Sequence, residues 1–298
     1  MRHDKVISWV LLIAAGSIWG MTFSLAKFAT AGGMHPIGLN FWQSLLGFIF
    51  LRLYLAFRGD QLPLTSNHLV FYAICGLLGT ALPGTLLFFA AASLPAGVLS
   101  IVIAVVPILT TAIAFAIGIE QAASSRFLGI LLGAIAVVVI VAPDDSLPNS
   151  GSTFWVLIAV IAAFCYALES LYIALRMPPG SGALTVLCGM FLTGSLMTGI
   201  VALATGHLLP PVISFTMVEG AIVAMAAINA LAYGAFIYLV TSAGPVFASQ
   251  MGYLVTVSGV AWGIVMFGEQ HSRWIWTAML IMVAGLALVQ PRKEAKNH

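Results

Sequence analysis

Apolar runs of about 18 residues or more, each closed by a short polar, Gly or Pro connection, recur along the chain at approximately 6–29, 35–57, 68–92, 95–118, 125–142, 153–176, 183–206, 217–241, 244–267 and 273–290. A helix rising 1.5 Å per residue needs about 20 residues to cross the roughly 30 Å hydrocarbon layer, so the pattern predicts ten transmembrane helices. Some connections hold only a few residues, as at Ser93-Leu94-Pro95 and Ala243-Gly244-Pro245. A proline can begin the next helix because its missing N–H is not needed there. Neighbouring spans are therefore expected to be antiparallel, with no soluble domain between them.

The pattern also repeats on a larger scale. Residues 88–121 lie without a gap on 237–270 at an offset of about 149, which places Ser93 on Ser242, Ser100 on Ser249 and Glu120-Gln121 on Glu269-Gln270. Identities are few, but the order is shared: apolar run, tight Ser/Gly/Pro connection, long apolar run, Glu-Gln, basic residue, apolar run. A period of half the chain indicates duplication of a whole unit, here 1–146 and 147–298. Five spans per unit is an odd number, so the second copy enters the membrane in the opposite sense, with Glu120 at the inner surface and Glu269 at the outer. The expected fold is an all-α integral membrane protein of ten helices in two inverted five-helix repeats. Such repeats can exchange conformations and open a site between them to each side in turn. Duplication also builds channels and inert scaffolds, so the fold alone leaves those alternatives open.

Composition agrees. The chain is 61% hydrophobic and 7% charged with mean hydropathy +1.10, far outside soluble averages. Its +2 net charge is scattered and does not form a nucleic-acid-binding patch. Cys75, Cys165 and Cys188 sit inside apolar runs without metal-ligand spacing and read as small core residues. Arg2 and Lys5 precede the first run and Ala29-Thr30-Ala31 imitates a signal cleavage site, but the run is too long for a signal h-region and is read as a span. With the N-terminus inside, Arg2, Lys5, Arg52, Arg58, Arg126, Arg176, Arg292, Lys293 and Lys296 fall on the inner side and only Lys27 and Arg273 outside. That asymmetry predicts cytoplasmic termini.

The segment Ser17-Ile18-Trp19-Gly20-Met21-Thr22-Phe23-Ser24-Leu25-Ala26-Lys27 resembles the opening helix of EamA-type members of the drug/metabolite transporter superfamily. Pro107, Glu120 and the small-residue helix with Gly129 and Gly133 are similar to that family's repeat core. The resemblance covers almost the whole chain. It implies a bacterial inner-membrane carrier that exports amino acids or other metabolites, with the nearest likeness to aromatic amino acid exporters. Two features depart from the pattern: Thr256 stands where the second copy often has the proline matched by Pro107, and Glu169 belongs to no family-wide motif.

Polar groups within the spans are the candidate chemistry, because an unpaired charge at the bilayer centre costs at least about 2.5–3.5 kcal/mol. Glu169 is read as a carboxylate binding a proton or a substrate ammonium group, or alternatively as a buried or neutral glutamate bonded to nearby hydroxyls or one reaching the cytoplasmic end of a cavity; Tyr166 shares its helix side. Gln43 beside Trp42, Asn229 with Tyr233, and Gln250 with Tyr253 supply amides, phenols and flat apolar walls suited to a zwitterion with a hydrophobic side chain. Trp19 lies deep enough to be a further cavity wall. Ordinary interhelical hydrogen bonding is the competing reading of the amides. Gly79, Pro83, Gly84, Pro107 and Gly252 are hinge candidates, the prolines because each removes a backbone hydrogen bond. Lys27 and Arg176 close their helices at opposite faces and are expected to extend to the headgroups, Lys27 with a second reading as a greeter of substrate carboxylate.

No P-loop, HExxH or G-x-S-x-G pattern is present, so neither an enzyme nor a cofactor is expected. The expected partners are a small-molecule substrate, the lipid bilayer and, where transport is coupled, protons. A multidrug or cationic-metabolite exporter and a facilitative pore are the alternative functions.

Overall fold

The computed structural model describes residues 2–119, 124–143, 145–147, 151–208, 216–243 and 251–289. Ten helices follow one another among the described residues: α1 (Arg2–Ala31), α2 (Pro36–Phe57), α3 (Ser66–Ser93), α4 (Ala96–Ala116), α5 (Ser124–Val141), α6 (Ser152–Arg176), α7 (Ala183–Ala204), α8 (Met217–Ala243), α9 (Met251–Phe267) and α10 (Arg273–Val289). Eight contain apolar segments long enough to cross a membrane outright. The other two, α9 and α10, have 17 residues each, at the short end of the range for a span. Leu53, Phe127, Ile200, Leu231, Val265 and Leu280 are exposed on the outside of the bundle. In water that surface would drive aggregation; against lipid tails it is the expected solvent-facing side.

The helices pack in a pattern that survives exchange of the two halves. Helix α2 lies on α7, α4 on α9 and α5 on α10, each helix meeting its own repeat-mate. The remaining principal pairings come as couples: α1 with α8 and α3 with α6, α1 with α9 and α4 with α6, α2 with α8 and α3 with α7. A two-fold axis relating inverted halves requires this reciprocity. The protein is thus an all-α, ten-helix membrane protein of two inverted five-helix repeats.

Two helices are not continuous, and proline accounts for both. In α3 the stretch Leu77–Ala81 is a π turn, in which the N–H of Leu82 reaches five residues back to the carbonyl of Leu77. Pro83 follows at once and cannot donate to Gly79. In α4 the helix stops at Ile103 and resumes at Val106, just before Pro107. The N–H of Val105 bonds the carbonyl of Val102, a tighter turn just before Pro107, which has no N–H to give the carbonyl of Ile103. Both interruptions fall where the sequence places Gly79, Pro83 and Gly84 in one span and Pro107 in the next.

Buried apolar residues are distributed unequally between the two ends. Where α1 terminates, one continuous core joins residues from every helix except α7, including Phe23, Leu39, Phe88, Leu99, Ile140, Ala163 and Met225. Toward the other end it gives way to two separate clusters. One contains Leu51, Leu55, Phe71, Tyr72, Leu187 and Phe191 of α2, α3 and α7; the other contains Leu12, Leu239 and Met251 of α1, α8 and α9. Among the described residues the bundle is therefore shut at the Lys27 end and divided at the opposite one.

Close approach of α1 to α9 depends on Gly20, where an added Cβ would lie 2.7 Å from both the amide nitrogen of Gly259 and the carbonyl oxygen of Val255. Gly234 meets nothing within 4 Å. Gly20→Val is expected to lower stability in detergent by about 1–3 kcal/mol through overpacking. Gly234→Ala is expected to be neutral or slightly stabilising, and thermal unfolding of the two variants side by side checks the difference.

Candidate functional site

The site is organised around the α3 interruption. Asn40, buried on α2, places its amide nitrogen 3.0 Å from the carbonyl oxygens of both Thr80 and Ala81 and 2.9 Å from the hydroxyl oxygen of Thr85. Thr80 and Thr85 in turn donate to the carbonyls of Gly76 and Ala81, each at 2.6 Å. An irregular turn in lipid is tolerable only when its backbone acceptors find protein donors, and these three side chains supply them. The π turn brings Gly79 against α6, where an added Cβ would lie 3.0 Å from the Glu169 carboxyl carbon and 2.9 Å from the Met190 sulfur. Gly84 packs as closely on the Asn40 amide.

Glu169 is 9% exposed and has no hydrogen bond or ion pair to any described residue. The alternative of a glutamate satisfied by neighbouring hydroxyls does not match this arrangement. Its carboxyl group lies within electrostatic reach of Cys75, Tyr166 and Tyr233, so one acidic group faces a thiol and two phenols from α3, α6 and α8. The ring of Tyr233 meets Trp19 edge-on with centroids 6.5 Å apart, and the Trp19 indole N–H donates to the Asn229 side-chain carbonyl at 2.9 Å. Glu169, Tyr166, Tyr233, Trp19 and Asn229 thus form a run of polar and aromatic groups from α6 across α8 to α1. Tyr233 packs on one of the two separated apolar clusters and Trp19 on the other, so the run spans the division between them.

The remaining candidates are placed differently. Gln43 is buried on α2, one turn beyond Asn40, without a hydrogen bond to a described residue. Trp42 and Tyr253 pack against the large continuous core instead. Gln250 lies outside the described residues, and Gly252 is the second residue of α9 as described, with open space beside it. Pro107 sits at the restart of α4 and Pro83 immediately after the π turn. A lipid-facing groove of about 360 Å³ lined by Leu25, Phe28, Met217, Ala221 and Met266 contains none of these groups and has no charged or amide side chain to orient a polar ligand.

Lys27 does not extend to headgroups as expected from its position. Its ammonium lies 2.7 Å from Glu269, whose two carboxylate oxygens also accept the N–H groups of Ala96 at 2.7 Å and Gly97 at 3.0 Å. Those amides open α4, where exposed N–H groups and the helix dipole favour an anion. The cluster ties α1, α4 and the α9–α10 connection together at the shut end. Neither this cluster nor the role of Asn40 is legible from spacing, since Lys27 and Glu269 are 242 residues apart.

The architecture is the one inverted-repeat membrane transporters use, ten helices in two halves of opposite sense. The EamA-like transporter family matches residues 6–142 and again 153–290, and the chain belongs to that family. It is similar to the uncharacterized inner membrane transporter YedA of Escherichia coli strain K12, with 25% identity over 284 residues covering 93% of this chain and 89% of YedA. The YedA proteins of Escherichia coli O6:H1 and O157:H7 match to the same extent. A protein of known crystal structure shares the fold at TM-score 0.56 and 20% identity, covering 93% of this chain and 94% of that one.

Replacing Asn40 by Leu leaves the π-turn carbonyls without their donor and is expected to cost about 1–3 kcal/mol of stability, read as an earlier unfolding transition in detergent. For the end cluster, Lys27→Met and Glu269→Gln are each expected to destabilise by about 1–3 kcal/mol. Their effects should fall short of additivity by about 1 kcal/mol or more in a double-mutant cycle.

Proposed function

We propose that the protein is a secondary transporter that exports amphipathic amino acids, aromatic ones among them, and related small metabolites by alternating access across a bacterial inner membrane. The halves 1–146 and 147–298 are the moving units, both termini are cytoplasmic, and the shut Lys27 end faces outward. The observation that carries this reading is Glu169: a buried carboxyl group without a countercharge, set beside phenols and an indole where the apolar core divides. Such a group is costly to ionise in isolation and gains most from a proton or a substrate ammonium. Trp19, Tyr166 and Tyr233 supply rings against which an apolar side chain packs, and Asn229 and Gln43 supply amides for the polar end. Gly79, Pro83, Gly84 and Pro107 lie at the two interrupted helices and serve as the flexing points of the cycle, with Gly252 in the same role in the second half.

One observation favours a second reading, export of cationic metabolites or drugs. The Lys27 ammonium is engaged by Glu269, so it does not offer a substrate carboxylate an open countercharge. The site then selects for positive charge and an apolar body, without a carboxylate requirement.

Counterflow in liposomes with labelled aromatic amino acids and labelled aromatic amines separates the two readings. Saturable exchange of the amino acids is expected; exchange confined to the amines establishes the second reading, and non-saturable flux identifies a pore. Glu169→Gln is expected to lower the saturable exchange at least tenfold and to abolish any response to an imposed pH gradient. Full activity of that variant overturns the role given to Glu169.

A further inference from the structure

We infer that the Lys27 end of the bundle is an acid-opened gate, closed at two seams between the halves, one where His35 stacks on His207 and one where His271 presses on α4, and released when His35 and His271 take up protons. The inference concerns gating and stands apart from the identity of the substrate.

At the first seam His35, between α1 and α2 of the first half, stacks on His207, just after α7 of the second. Their ring centroids are 3.5 Å apart with planes 13° from parallel. Nδ1 of His35 accepts the N–H of Ile37 at 3.3 Å, capping α2, and so carries no proton itself. Charging His35 would put a donor where this cap needs an acceptor and would set a positive ring against its partner. Nδ1 of His207 is buried with no hydrogen-bond partner among the described residues, and the edge of Phe89 on α3 closes the pair, its centroid 5.5 Å from His35.

At the second seam His271, between α9 and α10, presses on α4 so closely that a Cβ on Gly97 would lie 2.6 Å from its Nε2. That nitrogen is buried without a hydrogen-bond partner among the described residues, 3.6 Å from Glu269. Trp276 on α10 meets the ring edge-on at 6.0 Å. Among the described residues, the charged groups that act on His271 are Glu269 on its own connection and Lys27 on α1. Glu269 already receives Lys27 and two backbone N–H groups, so a charged His271 would compete for an occupied carboxylate beside a repelling ammonium.

Both seams join opposite halves, and both must part for this end to open. The electrostatics have one sign. Burial holds His35 below its usual range, and His207 adds to this. Burial likewise lowers His271; Glu269 acts to raise it and Lys27 to lower it, leaving it net lowered. A base whose pKa is lowered in the closed form favours closure while it is neutral, above its solvated value of about 6.5, and favours opening as pH falls below that value. Each unit of lowering is worth up to tenfold in the open-to-closed ratio.

The test uses the full chain in nanodiscs, with Cys75, Cys165 and Cys188 replaced and nitroxide labels on Ser93→Cys and Gln270→Cys. These are exposed positions on opposite halves at this end. Pulsed electron spin resonance is expected to give one short distance at pH 8 and a longer population that rises at least tenfold relative to it by pH 5.5. His207→Gln combined with His271→Gln should keep the short distance at pH 5.5, while His68→Gln at the opposite end should leave the response unchanged. If the double variant does not fold, each single variant should still reduce the rise. A distance insensitive to pH in the parent, a full response without His207 and His271, or loss of response in His68→Gln overturns the gate. No substrate is present in this experiment, so its failure is distinct from failure of the transport reading.

Discussion

Inside the hydrocarbon layer no water completes an unmade hydrogen bond, and every departure from helix must be repaired by the protein itself. This constraint shapes the part of the molecule that matters most. Pro83 and Pro107 open two helices. The first gap is repaired by the amide of Asn40 from a neighbouring helix and by two threonines; at the second the chain tightens into a turn at Val105. The π turn in α3 is therefore a supported irregularity, and it brings backbone and Gly79 against the one buried carboxyl group that has no partner among the described residues.

The duplication explains the frame but not the chemistry. Helix pairings are reciprocal between the halves, as a two-fold relation demands, yet Gly20 is the position that corresponds to Glu169 at the offset relating the repeats. In the first half that position permits α1 to approach α9; in the second it introduces an acid. The fold is symmetric where the charge is not. The apolar core expresses the same asymmetry on a larger scale, continuous at one end and split at the other.

The shut end is held by more than apolar contact. Glu269 gathers an ammonium and two helix-terminal N–H groups from the first half, and stacked imidazoles join the halves alongside. Polar contacts of this kind are directional and lose their strength when water enters. They suit a closure that has to part cleanly, whereas the small-residue packing of α1 on α9 suits elements that move together.

Sequence alone determined the membrane class, the number of spans and the inverted duplication. Each rests on local quantities: the length of an apolar run, an odd count, and a pattern recurring at half the chain. It also singled out Glu169, since an acid within an apolar run is conspicuous whatever its surroundings. Only the tertiary structure decided that this acid has no partner among the described residues, that Trp19, Asn229 and Tyr233 join it while Trp42 and Tyr253 turn to the larger core, and that Lys27 is paired. The reason is distance along the chain: Lys27 meets Glu269 across 242 residues and Trp19 meets Asn229 across 210, and hydropathy carries no term for contacts of that separation. The form of the break in α3 escaped for a related reason: Gly79, Pro83 and Gly84 mark where the span is interrupted, but the π turn is supported by Asn40 on another helix.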